Sequence, residues 1–238
     1  MPVITITGLI GSGAPELGAE ISRKLGINYV DRLILAEAAR KMGITVAAVA
    51  ERTERAQRFS DRVAGFVRTV LERSALAGGG ADPYFGGGLD ALLVREYRDF
   101  PPENSNGGNE TGLTDSRLLE VTSTVIREIA QSGNVVIAGR GANIILRDQP
   151  GVLHVGLVSS LEARIKRIME REELTREEAD HFVAENDRAR QAYFRRFFRV
   201  DAQDPRHYHM VLNTDWLKIP CATDVAIAAG ELVAHKNG

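Results

Sequence analysis

The sequence has a single cysteine, Cys221, and this scarcity limits the structures that it can form. One thiol cannot make an internal disulfide framework, nor can it build a zinc site from several thiolates. Such cysteine usage is typical of a reducing compartment. We expect Cys221 to be an inert thiol packed in the last helix. We also expect no metal site built by the protein, because the five histidines form no ligand pattern.

The sequence also lacks a strong excess of charge and any long apolar run. Lys and Arg (30) nearly balance Asp and Glu (32), which gives a net charge of −2. This balance does not favour a nucleic-acid-binding protein or a polybasic membrane binder. The apolar stretch 1–10 has no basic leader and is interrupted by Gly8, so it does not resemble a signal peptide, and no run has the length of a membrane span. We therefore expect a cytoplasmic globular protein.

Short β-branched runs alternate with amphipathic segments over much of the sequence. The pattern predicts strands at 3–7, 135–137, 153–158 and 210–213, and helices at 15–25, 116–131, about 161–168, 175–198 and 219–234, with a short helical turn at 142–146. Ser159 or Ser160 should cap the helix at about 161–168, and Thr175 with Glu178 forms a capping box before the helix at 175–198. Strands separated by helices predict an α/β fold, with helices on both faces of a parallel sheet.

The middle of the sequence has a different composition. Residues 33–76 are predicted to be helical, whereas 77–115 contains the glycine triplets 78–80 and 86–88 and the proline pair 101–102. This second stretch cannot bury much apolar surface. It is therefore either a long lid-like loop or disordered in places.

The first predicted strand continues into the turn Gly-Leu-Ile-Gly-Ser-Gly at 8–13 and then into a helix. Backbone N–H groups in such a loop point into a concavity, and the helix N-terminus adds positive potential, so the arrangement suits a phosphate. A Walker A loop would continue with lysine and a hydroxyl residue, but Ala14 and Pro15 stand there. The alternative is a tight strand-to-helix turn that binds nothing.

The two departures remove groups that Walker A loops use in catalysis. The lysine balances charge on the β- and γ-phosphates, and the hydroxyl is a ligand of Mg²⁺. Pro15 also removes one backbone donor from the loop. Losing one preorganised donor typically costs roughly 10²–10³ in rate, so any chemistry has to rely on cationic side chains elsewhere.

Arginines occur at two places that suit phosphate binding. Arg140 stands in the stretch 138–142 that directly follows the strand at 135–137, at the edge of the sheet where open α/β proteins bind ligands. Its guanidinium fork matches a phosphate. Five more lie at the C-terminal end of the helix at 175–198 and could close over a polyphosphate: Arg188, Arg190, Arg195, Arg196 and Arg199. In both places the alternative is an ordinary solvated arginine.

Several short stretches, taken in their order and spacing, resemble the cytidylate kinase-like family. They cover most of the sequence: the Gly-Ser-Gly at 11–13, LGINYVD at 25–31, VIAGRGA at 136–142, RIKRI at 164–168, DRARQAY at 187–193 and YHMVLNTD at 208–215. The glycine-rich middle matches poorly. A further departure is Ala138, where cytidylate kinases proper have an aspartate that helps to hold the metal.

The resemblance implies one P-loop NTPase domain over 1–238, with a substrate-side insertion at 33–115 and a lid-like helical segment at 170–205. It implies phosphoryl transfer from ATP to CMP or dCMP, with Mg²⁺ held mainly by phosphates and water. The residues implied for the ATP phosphates are Gly8, Gly11, Ser12, Gly13 and Ala14; those for the monophosphate are Asp31 and Arg140; those for catalysis are Arg164, Arg188 and Arg190.

Two alternatives to a kinase remain open at this stage. The combined loss of lysine, hydroxyl and aspartate is also typical of a protein that binds nucleotides or a partner without transferring a phosphoryl group. A descendant of the fold that binds no phosphate is the weaker alternative. For a kinase or a nucleotide-binding protein, nucleotides are the expected small-molecule partners. The sequence does not indicate an oligomeric state.

Overall fold

The computed structural model describes residues 2–31 and 115–236. The helical segment predicted at 33–76 lies outside the described residues, as does all but the last residue of the glycine-rich stretch 77–115. Five parallel strands form one sheet in the order β2-β3-β1-β4-β5. They are β1 (Val3–Gly8), β2 (Asn28–Val30), β3 (Val135–Ala138), β4 (Val152–Val158) and β5 (Met210–Asn213).

The helices of the described part lie close to their predicted positions. They are α1 (Ala14–Leu25), α2 (Asp115–Gln131), α3 (Ala142–Ile145), α4 (Leu161–Glu172), α5 (Arg176–Phe198) and α6 (Ile219–Lys236). The sequence pattern missed β2 and a 3₁₀ turn at Pro205–His207, because each is only three residues long. In the part of the chain that the structure describes, no helix is both long and apolar enough to cross a membrane.

The central strand β1 is buried on both faces, which explains its continuous apolar and β-branched sequence. Val3 packs into a cluster with α2 that includes Val125 and Ile129. The next residue, Ile4, points to the opposite face and packs with Leu17 of α1 and Ala226 of α6. Helices therefore cover both faces of a parallel sheet, and the predicted three-layer α/β P-loop fold is confirmed.

Side-chain caps begin the two helices that follow β4. The Ser160 hydroxyl accepts the Ala163 N–H at 3.3 Å. Thr175 accepts the Glu178 N–H, and the Glu178 carboxylate accepts the Thr175 N–H at 2.9 Å, so both bonds of the predicted capping box are present. These bonds satisfy N–H groups that have no partner within the helix.

Cys221 is exposed, so the expectation that it is packed in the last helix is wrong. The residues of α6 that are buried near it are Ala222, Thr223 and Ala226, which face the sheet. This register leaves position 221 on the outer side of the helix.

His154, in the middle of β4, is a buried titratable residue. The residue is 4% exposed, its Nδ1 lies 2.8 Å from the Thr5 hydroxyl, and its ring stacks on His209 with ring centroids 4.9 Å apart. Burial, aided by the charge of His209, lowers the pKa of His154 from 6.5 to about 4. Since the unfolded chain binds this proton more tightly, stability is full above pH 6.5 and falls as the pH drops toward 4.

We expect the substitution His154→Gln to flatten this pH dependence. The wild type should lose roughly 2–3 kcal/mol of unfolding free energy through His154 between pH 7.5 and pH 4.5, and the variant should lose that much less. Urea unfolding of both proteins at the two pH values measures the difference. Identical losses in wild type and variant would show that His154 is not held neutral by burial.

Candidate functional site

The loop at residues 8–13 joins β1 to α1 at the carboxyl edge of the sheet. Gly11 and Gly13 have φ values of 76° and 92°, which side chains rarely adopt. A Cβ at Gly11 would also lie 2.7 Å from the backbone oxygen of Arg164 in α4. Pro15 fits in the first turn of α1, where an N–H has no partner within the helix. Gly11 is therefore required for the close packing of the loop against α4, whereas a Cβ at Gly13 would meet Ile219 of α6.

Arg167 of α4 holds this loop from behind. Its Nη1 donates to the Gly11 carbonyl at 2.9 Å and to the Thr214 hydroxyl at 3.1 Å, and its Nη2 donates to the Thr214 carbonyl at 3.0 Å. The Thr214 hydroxyl in turn donates to the Ser12 carbonyl at 2.9 Å. Because the peptide unit is planar and trans, fixing the Ser12 carbonyl toward Thr214 turns the Gly13 N–H away from it. We define Arg167, Thr214 and the carbonyls of Gly11 and Ser12 as the loop clamp.

Arg164, which the sequence predicts to bind phosphate, is buried and hydrogen-bonded to other protein groups. The residue is 5% exposed, and its Nη1 donates to both carboxylate oxygens of Asp187, at 2.9 and 3.0 Å, and to the Ile10 carbonyl at 3.3 Å. Burial raises the pKa of Asp187, and the adjacent guanidinium opposes that shift. Arg164 therefore ties α5 to the loop and does not line the cleft described next.

A cleft lies between the loop, the carboxyl ends of β1 and β3, and α5. The residues expected from the sequence that line it are Gly8, Gly11, Ala14, Asp31, Arg140 and Arg190. Ser12 and Gly13 are buried in the loop itself. Arg188 is exposed and does not line the cleft, and Arg195, Arg196 and Arg199 are exposed as well. Of the basic cluster on α5, Arg190 alone is among the cleft-lining residues that the structure describes.

Arg140 occupies an unusual backbone conformation at the end of β3. Its φ is 51°, between Gly139 at 84° and Gly141 at 70°. A left-handed conformation costs a residue with a side chain on the order of 1 kcal/mol, and such strain is found preferentially at functional sites. A Cβ at Gly141 would lie 2.5 Å from the Phe198 ring, so the end of α5 packs against this turn. The arginine is 7% exposed and lines the cleft.

Arg190 and Arg171 bring two more guanidinium groups to the cleft. Arg190 lies over the Phe194 ring, 4.8 Å from its centroid, and its charge opposes the rise that burial causes in the pKa of Tyr208. Arg171, in the last turn of α4, donates from Nε to Glu172 at 2.6 Å. Sequence reasoning did not select Arg167 or Arg171. The available signal was their spacing with Arg164, since residues i, i+3 and i+7 share one helical face.

The described residues do not form a dedicated metal site. Asp31 is the only carboxylate among the described residues that line the cleft, and Ala138 lines it where an aspartate would stand in cytidylate kinases proper. Over 2–31 and 115–236 there is no group of three or more His, Cys, Asp or Glu residues placed to hold a metal. A Mg²⁺ ion here would depend on phosphates and water for most of its ligands.

We expect Thr214→Val to weaken the loop clamp. The substitution keeps the shape of the side chain but removes the hydroxyl that donates to the Ser12 carbonyl, and leaving a buried acceptor without its partner typically costs roughly 1–3 kcal/mol. Arg167 Nη1 loses one acceptor but keeps the Gly11 carbonyl and the Ser159 hydroxyl. Denaturant unfolding measures the loss. Thr214→Ser is the matched control because it retains the hydroxyl, and an equal loss in both variants would contradict the role assigned to the hydrogen bonds.

Known proteins resemble this chain over most of its length. Residues 3–216 match the cytidylate kinase-like family. Cytidylate kinase of Thermococcus sibiricus is 24% identical over 213 residues, which are 89% of this chain and 79% of that protein. Cytidylate kinase of Pyrococcus horikoshii is 22% identical over 212 residues, with the same coverages. The crystal structure of an uncharacterized protein from Eubacterium ventriosum shares the fold, with a TM-score of 0.61 at 18% identity over 97% of this chain and 98% of that one. The chain belongs to the cytidylate kinase-like family.

Proposed function

We propose that the protein transfers the γ-phosphoryl group of ATP to a nucleoside monophosphate, with CMP or dCMP as the first acceptors to test. The observation that carries the proposal is that Arg140, Arg171 and Arg190 line one cleft together with the glycine loop. Positive groups in a partly enclosed cleft stabilise the negative charge of a transferring phosphoryl group. The family supports phosphate transfer as the chemistry, and the single cysteine fits a reducing, cytoplasmic setting.

The proposed reaction needs no covalent intermediate. The bond between the γ-phosphorus and the bridging oxygen of ATP breaks, and a bond forms to an oxygen of the acceptor phosphate, which yields ADP and a nucleoside diphosphate. The second pKa of a phosphate monoester is about 6, so the attacking oxygen is largely ionised at neutral pH and no general base is required. This agrees with a cleft whose described lining has Asp31 as its only carboxylate.

We assign the cleft residues to two sides. Of the loop residues, Gly8, Gly11 and Ala14 line the cleft and would receive the donor phosphates at the N-terminus of α1. Ser12 and Gly13 would shape the loop, since both are buried and the Ser12 N–H donates to the Leu9 carbonyl at 3.0 Å. Asp31 and Arg140 would lie on the acceptor side, and Arg190 would contact the transferring group. Mg²⁺, when it arrives with ATP, would neutralise part of the phosphate charge, and phosphates and water would hold it.

The other two expected arginines receive different assignments. Arg164 acts as a positioning residue, because its guanidinium is committed to Asp187 and to the loop carbonyl of Ile10. Arg188 is exposed, and we assign it to the lid-like segment 170–205, from which it would reach phosphate only if α5 moves toward the cleft.

We expect wild-type protein to phosphorylate at least one of CMP, dCMP, UMP and AMP in a coupled assay of ADP formation. Arg190→Met should lower kcat by roughly 10²–10³, because it removes one charged contact to the transferring group. Arg147→Met is the control, since Arg147 is exposed beside Asp148 and does not line the cleft. Absence of turnover for all four acceptors, in protein shown to be folded, would refute the proposal.

A second candidate function is nucleotide binding without transfer. It is favoured by Ala14, Pro15 and Ala138, which remove the usual lysine, hydroxyl and aspartate from the cleft lining. This candidate predicts that calorimetry will show ATP binding of the same affinity with and without Mg²⁺, and that no product forms. Binding that tightens strongly when Mg²⁺ is added would count against it.

A further inference from the structure

We infer that Arg171 supplies the positive charge that is missing at Ala14, so that helix α4, rather than α1, provides the cation for the donor phosphates. The inference rests on the proposed function in one respect, namely that the cleft receives a polyphosphate. It assigns a catalytic residue that replaces the lysine of a Walker A loop.

The position of Arg171 singles it out among the three cleft arginines. Its Nη1 lies 3.9 Å from the carboxylate of Glu16, which follows Ala14 by two residues in the first turn of α1. Ala14, Pro15 and Arg171 line the same cleft. The guanidinium therefore lies beside the start of α1, where a lysine at position 14 would begin. Arg140 and Arg190 come from other elements, the end of β3 and α5.

Two carboxylates flank the Arg171 guanidinium. The side chain is 19% exposed, its Nε donates to Glu172 at 2.6 Å, and Glu16 attracts it from the other side. Two carboxylates thus keep the cation at the cleft in the absence of a ligand. A planar guanidinium held in this way can still present a pair of donors to a phosphate, which a flexible ammonium cannot.

The backbone of α4 is also fixed relative to the loop. One turn before Arg171, Arg167 donates to the Gly11 carbonyl at 2.9 Å. One turn earlier still, Arg164 donates to the Ile10 carbonyl at 3.3 Å. These two bonds connect the helix that carries Arg171 to the loop that would carry the phosphates. The distance between cation and phosphate would therefore be set before any ligand binds, which is the preorganisation that electrostatic catalysis requires.

The test is a double-mutant cycle between Arg171→Met and Ala14→Lys. Calorimetry of inorganic tripolyphosphate, without Mg²⁺ and at constant salt, measures the binding of the polyphosphate alone. Arg171→Met should weaken this binding by roughly 10- to 100-fold, which is the usual effect of losing a charge-assisted contact. Adding Ala14→Lys to that variant should restore most of the loss, whereas Ala14→Lys alone should change the affinity by less than about threefold because the charge is already present.

Two further variants complete the design. Arg147→Met removes an exposed arginine outside the cleft and should bind tripolyphosphate as the wild type does. If Arg171→Met does not fold, Arg171→Gln carries the same test, since its amide can still donate to Glu172. Thermal unfolding of each variant in the absence of ligand identifies any that are not folded.

Three outcomes would overturn the inference: tripolyphosphate binding that is unaffected by loss of Arg171, equal effects of Ala14→Lys in both backgrounds, and no binding by the wild type. The cycle also separates this inference from the proposed function. Binding that depends on Arg171 without turnover of any nucleoside monophosphate would support the assignment of Arg171 and refute the transfer reaction. Turnover that is unchanged in Arg171→Met would support the transfer reaction and refute the assignment of Arg171.

Discussion

The hydrogen bonds between Arg167 and the phosphate loop are the interaction on which the rest of the site depends. A loop rich in glycine has no side chains of its own to hold its shape, and its conformation carries a large entropic cost. The guanidinium of Arg167 helps to offset that entropic cost, because it binds the Gly11 carbonyl directly and the Ser12 carbonyl through the Thr214 hydroxyl. The bonds join α4 and the end of β5 to the end of β1, so the loop takes its shape from three elements that are distant in sequence.

Three arginines of α4 have three different roles. Arg164 is buried and bonded to Asp187, Arg167 holds the loop, and Arg171 reaches the cleft. A Walker A loop places its cation on the loop itself, whereas here the described cations of the cleft come from α4, α5 and the end of β3. Such an arrangement makes the charge at the site depend on how these elements pack. The strained backbone of Arg140 and the packing of Phe198 on Gly141 show that this packing is tight at the end of β3.

Local sequence signals predicted much of the fold, because each depends on neighbours along the chain. The β-branched run of β1, the capping box at Thr175 and the largely apolar run of β4, which is buried over six of its seven residues, follow from short patterns. The parallel sheet follows from the alternation of strands with helices. Two predictions from the sequence failed. One pattern was too short to indicate a strand, and in one helix the register of the buried face decided whether a side chain is exposed. β2 has three residues, and Cys221 lies outside because α6 buries Ala222 and Ala226.

The sequence by itself determined the glycine loop at 8–13, the presence of Ala14 and Pro15 where a Walker A loop has lysine and a hydroxyl residue, and the arginine at the end of β3. These are properties of consecutive residues next to a strand end. Only the tertiary structure decided which arginines reach the cleft. Arg164, Arg167 and Arg171 share one face of α4, so their spacing cannot distinguish them. Their different settings arise because Asp187, the loop carbonyls and Glu16 lie at different heights along that face. Those partners come from other elements, and the fold alone brings them together.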